Sequence, residues 1–223
     1  MGDRKLRVII TGVTGMVGEG VLHECLLSSS IDKILVVSRK TSGISDPKLS
    51  EVLVKDFFDL GNIELLAGGY DACFFCLGVS SVGIDKATYE KLTYDLTMNF
   101  AKTVLQANPG MQFCYVSGAH TDSTEKGKIH WARVKGKTEN ALQKLGFSHT
   151  YLFRPGMMEP TKGLKNTLAL YKWLGWLAPL LNKFSPNSIS TLAQLGKAMI
   201  NVVIHGYPKN HIEVRDIKLL SNQ

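Results

Sequence analysis

Three glycines, Gly12, Gly15 and Gly18, stand at a GxxGxxG spacing in the stretch TGVTGMVGEG. That spacing suits the holding of a pyrophosphate. The first glycine lets the chain turn tightly, the second lets backbone N–H groups approach phosphate oxygens, and the third lets a helix pack close to the preceding strand. The backbone from Thr14 through Met16 and Val17 would then face the phosphates at the positive end of a helix. The motif is a relative of the dinucleotide fingerprint GxGxxG. It gains weight from its setting, with a β-rich run before it and a helical pattern after it. A glycine-rich turn with no ligand is the plain alternative.

The next apolar run ends in Ser38, Arg39 and Lys40. A dinucleotide site that takes NAD(H) places an Asp or Glu there, on the ribose 2′-hydroxyl. Two cations and a hydroxyl suit a 2′-phosphate instead, so NADP(H) is expected ahead of NAD(H). The alternative is a pair of solvated charges. Asp56, at the end of a further run, could accept from the adenine amino group. Leu77 and Gly78, in CLG, offer backbone near the adenine ribose.

The elements that must position these residues follow from periodicity. Runs at 5–11, 33–39, 51–56, 70–78, 112–118 and 149–156 read as strands, with a late strand at 211–214. Helical patterns fill 16–29, 86–107, 127–146 and 190–206. The alternation argues for one domain over 1–223 in the α/β class, a Rossmann fold with a doubly wound parallel sheet and helices on both faces. The stretch 163–184 is strongly apolar, but it carries three lysines and is broken by Gly175 and Pro179. It is read as a cover for the cleft that lines an apolar pocket for a small-molecule substrate. It is not read as a membrane span, and a membrane-surface helix is the alternative.

Composition sets outer bounds. The chain has 223 residues, 44% hydrophobic and 20% charged, the balance of a soluble globular protein. The net charge of +7 attracts anions, but the cations form no run, so no nucleic-acid partner is expected. The charged start and short apolar run that follows read as a first strand, too short for a signal peptide, and a cytoplasmic protein is expected. Four scattered cysteines include a CxxC, Cys73 and Cys76. In a strand residues three apart face opposite ways, so both read as small hydrophobes, and no metal site is expected.

Taken together, TGVTGMVG, CLG, YVSGA, the helix with VKGKTE and RPG at 154–156 resemble the short-chain dehydrogenase/reductase superfamily, in its atypical or extended, epimerase/dehydratase-like branch that includes the HTATIP2-like proteins. The likeness covers nearly the whole chain. It implies NADP(H) at the carboxyl edge of the sheet, a small substrate-side region at 157–190, and an oxidoreductase or epimerase-like reaction. Helices 86–107 and 127–146 match those through which many members form homodimers. Pro155 and Gly156 would lie over the nicotinamide. In such proteins a Ser, a Tyr and a Lys carry the chemistry, the last two four apart on one helix face. Lys135 matches the lysine and would also hold the nicotinamide ribose. Ser117 lies where the serine region begins, while Gly118 and Ala119, nearer the usual position, have no hydroxyl; Ser123 is a second candidate.

Trp131 occupies the tyrosine's place. An indole N–H donates a hydrogen bond but does not ionise in a useful range. Two readings follow. The proton-transfer role has moved, with His120 in the loop after the fifth strand as the acid. Otherwise the reaction is lost, and the protein is a regulatory or sensor module that binds NADP(H). The motifs leave both open.

Overall fold

The computed structural model describes residues 5–61, 66–166 and 188–223. In chain order the strands are β1 (Leu6–Thr11), β2 (Ile31–Ser38), β3 (Leu49–Leu53), β4 (Ala72–Phe75), β5 (Gln112–Val116), β6 (His149–Arg154), β7 (Met157–Glu159), β8 (Ile189–Thr191) and β9 (His211–Glu213). Seven of them form one sheet in the order β3-β2-β1-β4-β5-β6-β9, every neighbouring pair parallel. The strand order reverses at β1 and β4, the switch point of a doubly wound sheet, where Rossmann proteins bind their ligands.

The helices are α1 (Met16–Leu27), α2 (Lys86–Glu90), α3 (Leu96–Ala107), α4 (His130–Leu142), α5 (Leu192–His205) and α6 (Val214–Leu220). The inner strands β1, β2, β4, β5 and β6 are mostly buried on both faces, because helices cover both, whereas the edge strand β3 is half-exposed. Val8 and Ile10 of β1 pack into one layer with Val21 and Leu22 of α1, Leu195 and Met199 of α5 and Ile217 of α6. Ile9, one residue out of phase, packs into the other layer with Phe100 and Val104 of α3 and Leu142 of α4. Cys73 and Cys76 fall into opposite layers, as the strand geometry requires.

Three features depart from the sequence expectation. The helix expected over 86–107 is interrupted by a π-helical turn, Lys91–Asp95. In that turn Tyr94 lies beneath Lys137 Nζ, 4.2 Å from the ring centroid, and Glu90 takes the same ammonium at 2.7 Å. A single inserted residue leaves no trace in a 3.6-residue pattern. β7 and β8 form a separate parallel pair; at three residues each, they are too short for alternation to register. The strand expected at 211–214 stops at Glu213, and Val214 opens α6, because Glu213 and Asp216 cap each other's backbone N–H groups there.

Most of the apolar stretch 163–184, and most of the region expected on the substrate side at 157–190, lie outside the described residues. What is described there is β7, residues 160–166, and 188–190. The N–H groups of Lys165 and Asn166 donate to the Glu19 carboxylate at 2.8 and 2.7 Å, tying this segment to the first turn of α1. Among the described residues no helix is long and apolar enough to cross a membrane.

Candidate functional site

The glycine turn joins β1 to α1 at the carboxyl edge of the sheet. Gly12 has φ +74, and a Cβ on it would lie 2.6 Å from the carbonyl carbon and oxygen of Cys76. The end of β4 therefore presses directly on this turn, and the Leu77 N–H reaches Thr11 Oγ1 at 3.3 Å. A Cβ on Gly18 would lie 2.2 Å from the Gly12 oxygen, so the close helix–turn contact needs glycine there. Gly15 differs. Its φ is −105, its nearest contact would be an ordinary 3.4 Å, and it caps α1 with no side-chain bond. Glycine is not required there by the protein's own packing. The N–H groups of Met16, Val17 and Gly18 follow in the first turn, where no earlier carbonyl of the helix can accept them. The cradle therefore fits a pyrophosphate, with space above Gly15 and unspent donors below.

Beyond β2 and β3 a pocket of about 140 Å³ opens between Arg39, Lys55, Asp56, Phe57, Leu77 and Gly78, among others. Arg39 and Lys55 have no hydrogen-bond or ion-pair partner among the described residues. Asp56 accepts the Phe58 N–H at 2.9 Å. Ser38 is buried, and its hydroxyl donates to the Lys40 carbonyl. Of the cationic stretch read from the sequence, Arg39 faces the pocket and Ser38 bonds within its own turn. Lys55 was missed, although it adjoins Asp56 in the sequence.

A larger cleft of about 840 Å³ lies beyond β5, β6 and β9. Gly118, His120, Pro155, Gly156, Arg154 and Arg215 contribute to its wall. His120 is exposed, at a left-handed φ of 66. Its loop is held by two backbone bonds, from the Ala119 N–H to the Pro155 carbonyl at 2.9 Å and from the Asp122 N–H to the Ala132 carbonyl at 3.0 Å. Trp131 and Lys135 lie one turn apart on α4 and are not on that wall. Trp131 is half-buried.

Under the cleft runs a network that the sequence reading missed. Glu139, fully buried, stands one turn after Lys135. It accepts from the Ser117 hydroxyl at 2.6 Å, from Arg154 Nε at 3.0 Å, and from Arg154 Nη2. Arg154 also reaches Ser123 Oγ at 2.5 Å and Glu213 at 3.4 Å. His211 Nε2 lies 3.7 Å from Glu139 without a hydrogen bond. Both candidate serines are thus bound into this ion-pair network. Lys135 donates to the Ser117 carbonyl. Burial of its ammonium end holds Lys135 down to about 8, while Glu139 acts in the opposite direction. The i, i+4 spacing of Lys135 and Glu139 was the one available signal.

The cysteines are all free. Burial pushes the Cys76 thiol up to about 12 and raises Cys73 as well, which leaves CxxC without a reactive thiolate. Among the described residues no cluster of His, Cys, Asp or Glu could hold a metal ion.

No family model matches the chain. It is 28% identical over 174 residues to protein FMP52-1, mitochondrial, of Scheffersomyces stipitis, covering 74% of each chain. It is 26% identical over 151 residues to protein fmp52-2, mitochondrial, of Aspergillus terreus, covering 67% of this chain and 66% of that one. The chain thus spans about two thirds to three quarters of these relatives. The expectation of a cytoplasmic protein does not stand, since both relatives are named as mitochondrial. The opening run does form the first strand, but a strand carries no address. Among solved structures the chain is similar to the Bordetella bronchiseptica enzyme WbmF in complex with NAD+. The TM-score is 0.66 at 13% identity, covering 100% of this chain and 78% of that one. A short-chain dehydrogenase/reductase of Saccharomyces cerevisiae, YIR035C, gives a TM-score of 0.64 at 13% identity, covering 97% and 98%. The fold is the Rossmann fold of such enzymes.

Proposed function

We propose that this protein binds a nicotinamide dinucleotide across the carboxyl edge of its sheet and works as an oxidoreductase or epimerase-like enzyme of the short-chain dehydrogenase/reductase type, on a small substrate, in association with mitochondria. The observation that carries this is the cradle of Gly12, Gly15 and Gly18. Two of these glycines are demanded by the protein's own packing, and Gly15 is left for a ligand. The mitochondrial association comes from the relatives' names.

The backbone of Thr14 through Gly18 would hold the pyrophosphate on the α1 N-terminus. Asp56, Leu77 and Gly78 would border the adenosine. Arg39 and Lys55, both without a partner among the described residues, favour a 2′-phosphate and hence NADP(H), although WbmF was solved with NAD+. Pro155 and Gly156 would back the nicotinamide, and Lys135 would hold its ribose. When bound, the dinucleotide gives or takes hydride at the substrate carbon. A proton must then reach or leave the substrate oxygen. Trp131 cannot supply it; His120 would, and its exposure on the cleft wall supports that role.

A specific observation favours the rival reading, a non-catalytic NADP(H) sensor. Trp131 replaces the phenol, and Ser117 is committed to Glu139. The experiment is NADPH oxidation with a panel of aldehydes and ketones, for wild type, His120→Ala and Trp131→Tyr. Turnover abolished in His120→Ala supports the relocated acid. Turnover that appears only in Trp131→Tyr supports the sensor.

A further inference from the structure

We infer that the large cleft beyond β5, β6 and β9 selects a substrate that carries an anionic group, carboxylate or phosphate, and that Arg215 is the residue that binds it. This rests on the reading of that cleft as the substrate side.

Two guanidinium groups line the cleft, and they differ in what they are free to do. Arg154 is spent. Its Nε and Nη2 bind Glu139, its Nη2 also meets Ser123, and its Nη1 faces Glu213 at 3.4 Å. Glu213, the one carboxylate on the wall among the described residues, shares Arg154 with Glu139 beneath it. Arg215 is exposed on the same wall and has no hydrogen-bond or ion-pair partner among the described residues. Its chain neighbour Asp216 cannot serve as one. That carboxylate is buried and occupied by the Tyr207 hydroxyl at 2.6 Å, Lys209 Nζ at 3.0 Å and the Glu213 N–H at 3.1 Å.

The same contacts fix where Arg215 stands. Val214 before it and Asp216 and Ile217 after it are buried, so its backbone is anchored on both sides while its side chain is in the open. A rigid stem loses little freedom when the guanidinium engages a ligand. The fork of N–H donors matches the two oxygens of a carboxylate or phosphate, a fit that an ammonium lacks. Arg215 stands on an anchored backbone, and no carboxylate among the described residues engages it, which is what selection for one anionic group requires.

The test uses the purified full chain and three aldehydes of similar size: 4-carboxybenzaldehyde, 4-formylphenyl phosphate and the uncharged methyl 4-formylbenzoate. Binding of each is measured by calorimetry, with and without saturating NADP+. At least one charged aldehyde should bind about tenfold or more tightly than the ester, a charge-assisted contact's worth. Arg215→Ala should erase that preference, and Arg215→Lys should keep only part of it. The two charged compounds decide between carboxylate and phosphate. Equal binding of ester and acids, no binding of any of them, or a preference that survives in Arg215→Ala would overturn the inference. Titration of NADPH into the same variant separates the two claims. Arg215→Ala should leave NADPH affinity within about twofold of wild type, because the residue lies off the glycine cradle. If no dinucleotide binds but the charge preference holds and depends on Arg215, the proposed function falls and the anion site stands.

Discussion

Replacing Lys135 by methionine should make the protein without cofactor more stable, and the gain should fade with pH. The lysine's folded value of about 8 stands below its ordinary 10.5 because burial disfavours the charged form. Below about 8 both folded and unfolded chains hold the proton, and the folded chain bears the whole cost, about 3 kcal/mol for a shift of that size. Between about 8 and 10.5 the folded lysine has lost its proton and the unfolded one has not. Unfolding then takes up a proton, so stability rises with pH across that window. Methionine keeps the aliphatic packing and removes the charge. It also forfeits the bond to the Ser117 carbonyl, roughly 1 kcal/mol. The net gain at pH 7 is about 2 kcal/mol, or roughly 4–8 °C in Tm for a chain of this length. The advantage should vanish near pH ~9.5, where relief of the wild-type cost matches the lost gain. Calorimetric melting of both proteins from pH 7 to 10 reads this directly. A variant that melts at or below wild type at pH 7, with a difference that does not change with pH, would refute the reasoning.

Other predictions follow from the same contacts. Gly15→Ala should keep Tm within about 2 °C, since its Cβ meets nothing closer than 3.4 Å, yet it should weaken dinucleotide binding at least tenfold. Gly18→Ala, with its Cβ 2.2 Å from the Gly12 oxygen, should lower Tm as well, and melting with calorimetry separates the two. The double change Arg39→Ala, Lys55→Ala should cost NADPH about ten- to a hundredfold in affinity and leave NADH unchanged, as read from paired titrations. Glu139→Gln strands the buried end of Arg154 and should cost roughly 3 kcal/mol or more in urea unfolding at pH 7.

Much of this architecture was legible. Alternating apolar runs and caps announce themselves locally, as with Thr191, whose hydroxyl and Gln194 form the capping box that opens α5. The glycine cradle was legible because its spacing states a backbone requirement. The Glu139 network was not, because Glu139, Arg154, Ser117 and Glu213 come from four elements and meet only when β5, β6 and β9 lie side by side. Ser117 looked like a serine that could do chemistry, and the structure shows its hydroxyl on a buried carboxylate. Lys55 and Arg215 carry no motif; what marks them is that no partner among the described residues reaches them, a property of the folded chain alone.

The most direct test of the central claim is calorimetric titration of the purified protein with NADPH and with NADH. Saturable 1:1 binding is expected, weakened at least tenfold in Gly15→Ala, with NADPH the tighter ligand. Binding of neither, by a protein that melts cooperatively, would contradict it.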